Sequence, residues 1–505
     1  MDKANVALIS LVICSSFILY KTLIKKPQPA PFPPGPKGLP LIANLADMPQ
    51  ARSWETYTEW AEIYGPIVHI NVLGNHIVIL NDPKYAAEML DSKGRLYSGR
   101  PSFVMSGQMV GWDESPALMP LSDTWVEYRK LMANFLGTRS KVENFEYIIH
   151  EEVKELLTRF MSIPNEYRDH FENYTGSVVL MLTYGYKPVE ANDPLVRIVN
   201  DAVQGWSEMT INGAYAVDSF PMLRFVPSWF PGAGWKVKAI KYRQGLTEML
   251  ERPYEWTRQQ MALGNARPCF VTDVLEGKKL TPQEEKVIQW TAAGMYSGGA
   301  HTTAAGLCFF LLAVVRHTAE LQRAQAEIDA FIGNDRLPTL ADRPHLPYFD
   351  ALCMEVHRVY PIGGVGFPHV ALDDDVHDGY FIPKGSILFS NNWLFNHNEK
   401  VYPNPNEFFP ERFLETVNQK KQKNPGDYLF GFGRRICPGL HLSDAVQWLA
   451  SAALITAFDI RPVVKDGKPI IPPANVQVGS ISFPEPFEYV MTPRSKFSKA
   501  LLQKS

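Results

Sequence analysis

The chain has 505 residues, 46% of them hydrophobic, and a formal net charge of -3, so it can bury a large core and exceeds the usual size of one small domain. Lysine and arginine are spread along it without a dominant stripe, which excludes nucleic acid as a partner. Cys14, Cys269, Cys308, Cys353 and Cys437 stand far apart with no C-x-x-C pair, which argues against a disulfide framework and a zinc site and puts the folded body in a reducing compartment.

The first element in chain order is an anchor. Val6 to Tyr20 carry no charge, apolar character resumes at Leu23 and Ile24, and Lys21, Lys25 and Lys26 follow the run while only Lys3 precedes it. Residues 1–26 are therefore predicted to form one transmembrane helix, and the excess of positive charge after it places everything downstream in the cytosol. A cleaved signal peptide is the competing reading, but no small-residue cleavage site follows the apolar run. Residues 27–40, rich in proline, are predicted to be a stiff hinge that separates the span from the body. Residues 41–505 read as one continuous domain without repeats or long linkers.

Within that domain, Ile67 to Val72 and His76 to Leu80, separated by Gly74-Asn75, predict a hairpin. Helical patterns then dominate. Thr281-Pro282-Gln283-Glu284 is a capping box with proline at the first helical position, and the pattern runs on to about Arg316, a helix of roughly 50 Å. Gly294, Gly298, Gly299 and Gly306 each weaken a helix interior by up to about 1 kcal/mol, so the spacing predicts close approach of a flat ligand and a local break in the backbone ladder. Glu355 and Arg358, at i and i+3, share a helix face that ends before Pro361. Phe430 to Gly439 (FGFGRRICPG) place Cys437 in a glycine-rich loop beside Arg434 and Arg435, where cations and free amides favour a thiolate; a small buried hydrophobe is the blander fate of a lone cysteine.

These runs occur in one order. Phe430, Gly433, Arg435, Cys437 and Gly439 match Phe-x-x-Gly-x-Arg-x-Cys-x-Gly, Glu355-x-x-Arg358 precedes Pro410-Glu411-Arg412-Phe413, and Gly298-Gly299-Ala300-His301-Thr302-Thr303 lies upstream on the long helix. The chain resembles the cytochrome P450 family along residues 1 to 500. Asp218-Ser219-Phe220-Pro221, Trp229-Phe230-Pro231-Gly232-Ala233 and Gly467-Lys468-Pro469 make it most similar to membrane-bound fungal monooxygenases of secondary metabolism, of the O-methylsterigmatocystin oxidoreductase type.

The resemblance implies a mainly α fold with small β-sheets, a single catalytic domain, and haem b held by Cys437 as axial ligand. It assigns Phe430, Trp125, Arg129, His369 and Arg435 to the cofactor and its propionates, and Glu355, Arg358 and Arg412 to a buried structural triad. Thr302 becomes the hydroxyl that bonds dioxygen, although a mid-helix threonine also bonds back to the carbonyl one turn earlier. His301 stands where the family carries an acid; it either relays protons or packs. Phe103, Trp112, Tyr296, Ala300, Val365, Phe367, Ile481 and Phe483 are the implied substrate pocket for a lipophilic small molecule. The implied electron donor is an NADPH-cytochrome P450 reductase, docked on Lys130, Lys420, Lys421, Lys423 and Arg434 unless these are merely a solvated face. Phe225 to Trp235 would touch the bilayer of the endoplasmic reticulum or pack as a loop. The alternatives are a haem isomerase or dehydratase that adds no oxygen, and a non-enzymatic electron carrier or sensor.

Overall fold

The computed structural model describes residues 28–494 apart from 41, 189–192, 211–213, 334–335, 418, 478 and 480. The expected transmembrane helix of residues 1–26, and Pro27 of the hinge, lie outside the described residues. The rest of the predicted stiff hinge is docked on the body. Its carbonyls at Pro31 and Pro34 accept from the N–H groups of Phe381 (2.7 Å) and His69 (3.0 Å), and Phe32 stacks on His69 with centroids 4.6 Å apart. Proline carbonyls accept as well as any, so a segment with few donors can still add to a strand.

Helix α1 (Ser53–Tyr64) leads into strands β1 (Ile67–Val72) and β2 (Asn75–Leu80), an antiparallel hairpin in the register Ile67↔Leu80. β3 (His369–Val370) and β4 (Ile387–Ser390) complete one four-stranded sheet in the order β1-β2-β4-β3, with β2 and β4 parallel. Three two-stranded ribbons are the other sheets among the described residues. Helices form the remainder: α2 (Asp123–Leu136), α3 (Glu146–Ser162), α4 (Tyr167–Tyr184), α5 (Pro194–Met209), α6 (Gly234–Ala262), α7 (Pro282–Arg316), α8 (Thr318–Phe331), α9 (Pro347–Val359) and α10 (Leu440–Ala457).

α7 is the axis. Its 35 residues span about 52 Å, and Thr281 and Glu284 satisfy each other's backbone N–H at its start. It is long and apolar enough to cross a membrane, but 78% of its most apolar stretch is buried inside the protein, which makes it the core helix of a folded body. The largest apolar cluster surrounds it, including Phe309, Phe310, Leu311 and Leu312 of α7, Val178 and Leu182 of α4, and Leu449 and Leu454 of α10. Each such side chain contributes about 1.5 to 3 kcal/mol by leaving water. Smaller clusters lie between α1 and the hairpin, and under the loop that carries Cys437.

Candidate functional site: a cysteine loop facing unneutralised cations

Cys437 sits immediately before α10, whose N-cap is Gly439. Its N–H donates to the Phe430 carbonyl at 2.7 Å, closing a loop that only glycine can shape. Gly433 has φ +51°, and a Cβ there would lie 2.5 Å from the Leu90 carbonyl. Phe430 is half-buried. Burial pushes the Cys437 thiol up, while the Gly439 N–H and Arg129 pull the other way. Sequence spacing suggested that cations and amides dominate; in the fold, desolvation does. A thiol so placed would need a cation bonded to its sulfur to stay ionised.

The run before the loop is pinned from behind. Arg358 Nε and Nη2 reach the Glu355 carboxylate at 2.8 and 2.9 Å, Arg412 Nε lies 3.2 Å from Glu355 Oε1, and the Phe409 N–H donates to the same oxygen at 2.7 Å. The guanidiniums also donate to the carbonyls of Asn396, Pro403, Pro405 and Glu407. Glu355 and Arg358 are 0% exposed and Arg412 is 2% exposed. Helical spacing brings Glu355 and Arg358 together, whereas Arg412 arrives through the fold.

A second set of cations has no such partner. Arg129 lies within 5.9 Å of the Trp125 ring, one turn away on α2, and Arg435 lies 4.6 Å from the same ring. Arg435 donates to the carbonyls of Ser98 (3.0 Å) and Met119 (2.7 Å), and His369 Nδ1 meets the Tyr97 carbonyl at 2.7 Å. Arg100, which sequence reasoning missed, joins them. The Gly99 N–H donates to Val370 O at 3.1 Å, and this bridge sets Arg100 beside His369; no motif spacing announces it.

Burial and the Arg435 charge push Arg100 down to about 9. Burial and Arg129 push Arg435 down to about 10, and His369 falls to about 3 through burial followed by the charges of Arg100 and Arg435. Among the described residues no carboxylate pairs with Arg100, Arg129 or Arg435, and the Trp125 indole N–H is buried without an acceptor. Three guanidiniums and an unspent indole donor fit a ligand that carries carboxylates.

On α7 the ladder is unbroken, contrary to the expected break. Gly306 instead admits Gln447, whose Oε1 would lie 1.9 Å from an added Cβ, and Gly299 admits Val179 at 3.1 Å. Gly298 faces open space, with nothing within 4 Å of an added Cβ. Successive residues turn by about 100°, so Thr302 shares the Gly298 face while Tyr296 and Ala300 point the opposite way. This corrects two pocket assignments. Tyr296 is fully buried, with its hydroxyl 3.8 Å from where a Gly176 Cβ would stand, and the Ala300 carbonyl accepts from Thr175 at 2.9 Å. Both belong to the α4–α7 contact.

Thr302 Oγ1 donates to the Gly298 carbonyl at 2.7 Å. His301 turns toward α4, with Nδ1 3.8 Å from Glu172 Oε1, its ring edge-on to Phe483, and Nε2 buried without a partner. Burial lowers its pKa, with Glu172 opposing.

The other assigned pocket residues are divided. Trp112 is buried between Trp206 and Trp290, and Phe367 stacks on Trp206 at 5.9 Å. Phe103 and Ile481 are half-buried against the main core. Val365 packs instead on the cluster between α1 and the hairpin, and Phe483 is 6% exposed under the Arg168 guanidinium, 4.2 Å away. A groove of about 850 Å³ runs between Met109 and Ala239, Ile240 and Arg243 of α6; none of the eight lines it. Lys130, Lys420, Lys421, Lys423 and Arg434 are all exposed.

Fold and site together define a mainly α protein with a cysteine loop before α10, a glycine-bearing core helix and three guanidiniums that no carboxylate among the described residues neutralises. The cytochrome P450 family model matches residues 33–490, and the chain belongs to that family. A cytochrome P450 monooxygenase 208 of Postia placenta is 43% identical over 492 residues, covering 97% of this chain and 96% of the relative. Cytochrome P450 monooxygenase claR of Ampulloclitocybe clavipes is 36% identical, over 100% and 92% of the two chains, and ppsD of Aspergillus oryzae is 34% identical over 98% and 96%. Membership brings haem b as cofactor and an oxidoreductase of the monooxygenase type as activity class.

Proposed function

We propose that the chain is a haem-thiolate monooxygenase that hydroxylates a lipophilic small molecule in fungal secondary metabolism. Its electrons come from an NADPH-cytochrome P450 reductase, and it is anchored by one span in the endoplasmic reticulum with the body in the cytosol. The observation that carries the cofactor reading is the contrast around Cys437, a half-buried thiol near Arg129, with Arg100, Arg129 and Arg435 meeting no carboxylate among the described residues. Haem, when bound, supplies dioxygen activation at a thiolate-ligated iron.

The residues of this chain have separable tasks. Cys437 gives the sulfur; Arg100, Arg129, Arg435, His369 and the Trp125 indole hold carboxylates in place. The Thr302 hydroxyl has committed its proton to Gly298 O, so its oxygen presents an acceptor toward the open Gly298 face. His301 carries protons inward from Glu172, its Nε2 being the free end of that route. Phe225, Trp229 and Phe230, each more than half exposed, supply apolar surface for the bilayer, and the exposed Lys420, Lys421, Lys423 and Arg434 supply positive charge for the reductase.

The test is NADPH-driven oxygen consumption with a reductase and a library of lipophilic substrates. Substrate-dependent uptake with hydroxylated product is expected; product formed without uptake means an isomerase or dehydratase, and neither means an electron carrier. His301→Ala is expected to uncouple uptake from product. Normal coupling in that variant reduces His301 to packing.

A further inference from the structure

Asp218 lies in a short helix (Ala216–Ser219) on the connection between α5 and α6, yet its carboxylate serves a segment more than a hundred positions upstream. Oδ1 accepts from the backbone N–H groups of both Val104 (2.7 Å) and Met105 (2.9 Å). These open a wide-pitched helical turn, Val104–Val110, that has no capping side chain of its own. A second link is exposed, Arg224 to Gln108, while the Arg224 carbonyl accepts from Lys236 of α6 at 2.6 Å.

The apolar support is divided, with Leu223 packed against the main cluster that holds Val104, Met105 and Val110. Val217 is buried beside the turn, but Phe220, Met222, Phe225, Trp229 and Phe230 face outward, each at least 51% exposed. The groove between Met109 and Ala239, Ile240 and Arg243 of α6 lies beside this seam, with Ser228 of the segment in its lining. Among the described residues, the Asp218 carboxylate is the one polar side chain that ties the 216–230 segment to the backbone at the start of this turn, accepting from both of its first two N–H groups.

We propose that Asp218 is the latch of an entrance: its carboxylate holds the Val104–Val110 turn against the 216–230 segment, and release opens the seam to a lipophilic molecule. The last step rests on the substrate reading above; the latch itself does not. Asp218 touches no reacting atom and is a positioning residue.

Hydrogen exchange on the full-length, haem-loaded protein tests it, because exchange is read whatever the pigment proves to be. Losing a charge-assisted pair of bonds in Asp218→Ala should speed exchange at residues 103–111 about tenfold or more, with α7 and α10 unchanged. Asp218→Asn keeps an acceptor oxygen, so its increase should be smaller, about threefold. Unchanged exchange at 103–111 in either variant overturns the latch, and so does an equal increase throughout the molecule.

The entrance is tested separately with phenylimidazole, a bulky ligand of haem iron. In Asp218→Asn its association and dissociation should quicken together, about threefold each, with little change in Kd. Rates equal to those of the unaltered protein overturn the entrance.

Discussion

Two groups of arginines leave water in this protein, and the fold treats them in opposite ways. Arg358 and Arg412 share the Glu355 carboxylate and spend their remaining donors on backbone carbonyls, so the network is complete. Arg100, Arg129 and Arg435 have carbonyls and an aromatic ring for company but, among the described residues, no acid; burial lowers all three, with Arg435 adding to the shift of Arg100 and Arg129 to that of Arg435. A buried charge costs several kcal/mol unless it is paired, so the first group explains itself and the second calls for an anion from outside the chain. The complete network lies behind the cysteine loop and holds up the scaffold. The incomplete one lies near the sulfur, and in the proposed reading it holds the carboxylates of the cofactor.

The sharpest way to break this comparison is Glu355→Gln, which keeps shape and removes charge. It strands two buried guanidiniums and should cost about 3 to 5 kcal/mol of stability, with the bound pigment lost, as measured by urea denaturation and haem content. If Glu355→Gln folds and holds haem normally, the first network is not the support described here.

Arg100→Met and Arg129→Met should behave differently. Each removes a cation that repels its neighbours, so the haem-free protein should lose little or no stability while haem affinity falls about tenfold, close to the value of one charge-assisted bond. Equal losses in the free and loaded forms would erase the distinction between the groups.

The smallest effect concerns buried groups that escape the problem by staying neutral. Burial lowers His317, stacked on Phe408, to about 4, with Arg316 adding to the shift. The unfolded chain takes up that proton near pH 6.5 and the folded one only near 4. His317 therefore contributes stability that is fully present above about pH 6.5 and declines as pH falls toward 4. His317→Phe, which keeps the stacking, should flatten this acid limb by up to about 1.4 kcal/mol per pH unit in urea titrations. An unaltered slope would mean that the site takes up its proton as readily folded as unfolded.

What the sequence discloses follows from range. Local rules succeed where partners are near in the chain: the Thr281–Glu284 box opens α7 at Pro282, the hairpin pairs Ile67 with Leu80, and α9 stops before Pro361. The triad and the cysteine loop were legible because their spacings are distinctive. Arg100 was not, since what matters about it is a two-residue bridge between Gly99 and Val370. Tyr296 and Ala300, which the resemblance places in the pocket, face away from Thr302 because successive helical residues turn by about 100°. The four glycines of α7 signalled close approach, but for three of them the approaching object is a side chain of the same protein, Pro116, Val179 or Gln447. Asp218 belongs to a motif whose purpose shows only when the Val104–Val110 turn is folded beneath it.

The most direct measurement is the carbon monoxide difference spectrum of the reduced, purified protein beside that of Cys437→Ser. The account predicts a thiolate-type Soret band, shifted to the red, that vanishes in the serine variant. A colourless protein, or the same band in both, would contradict it.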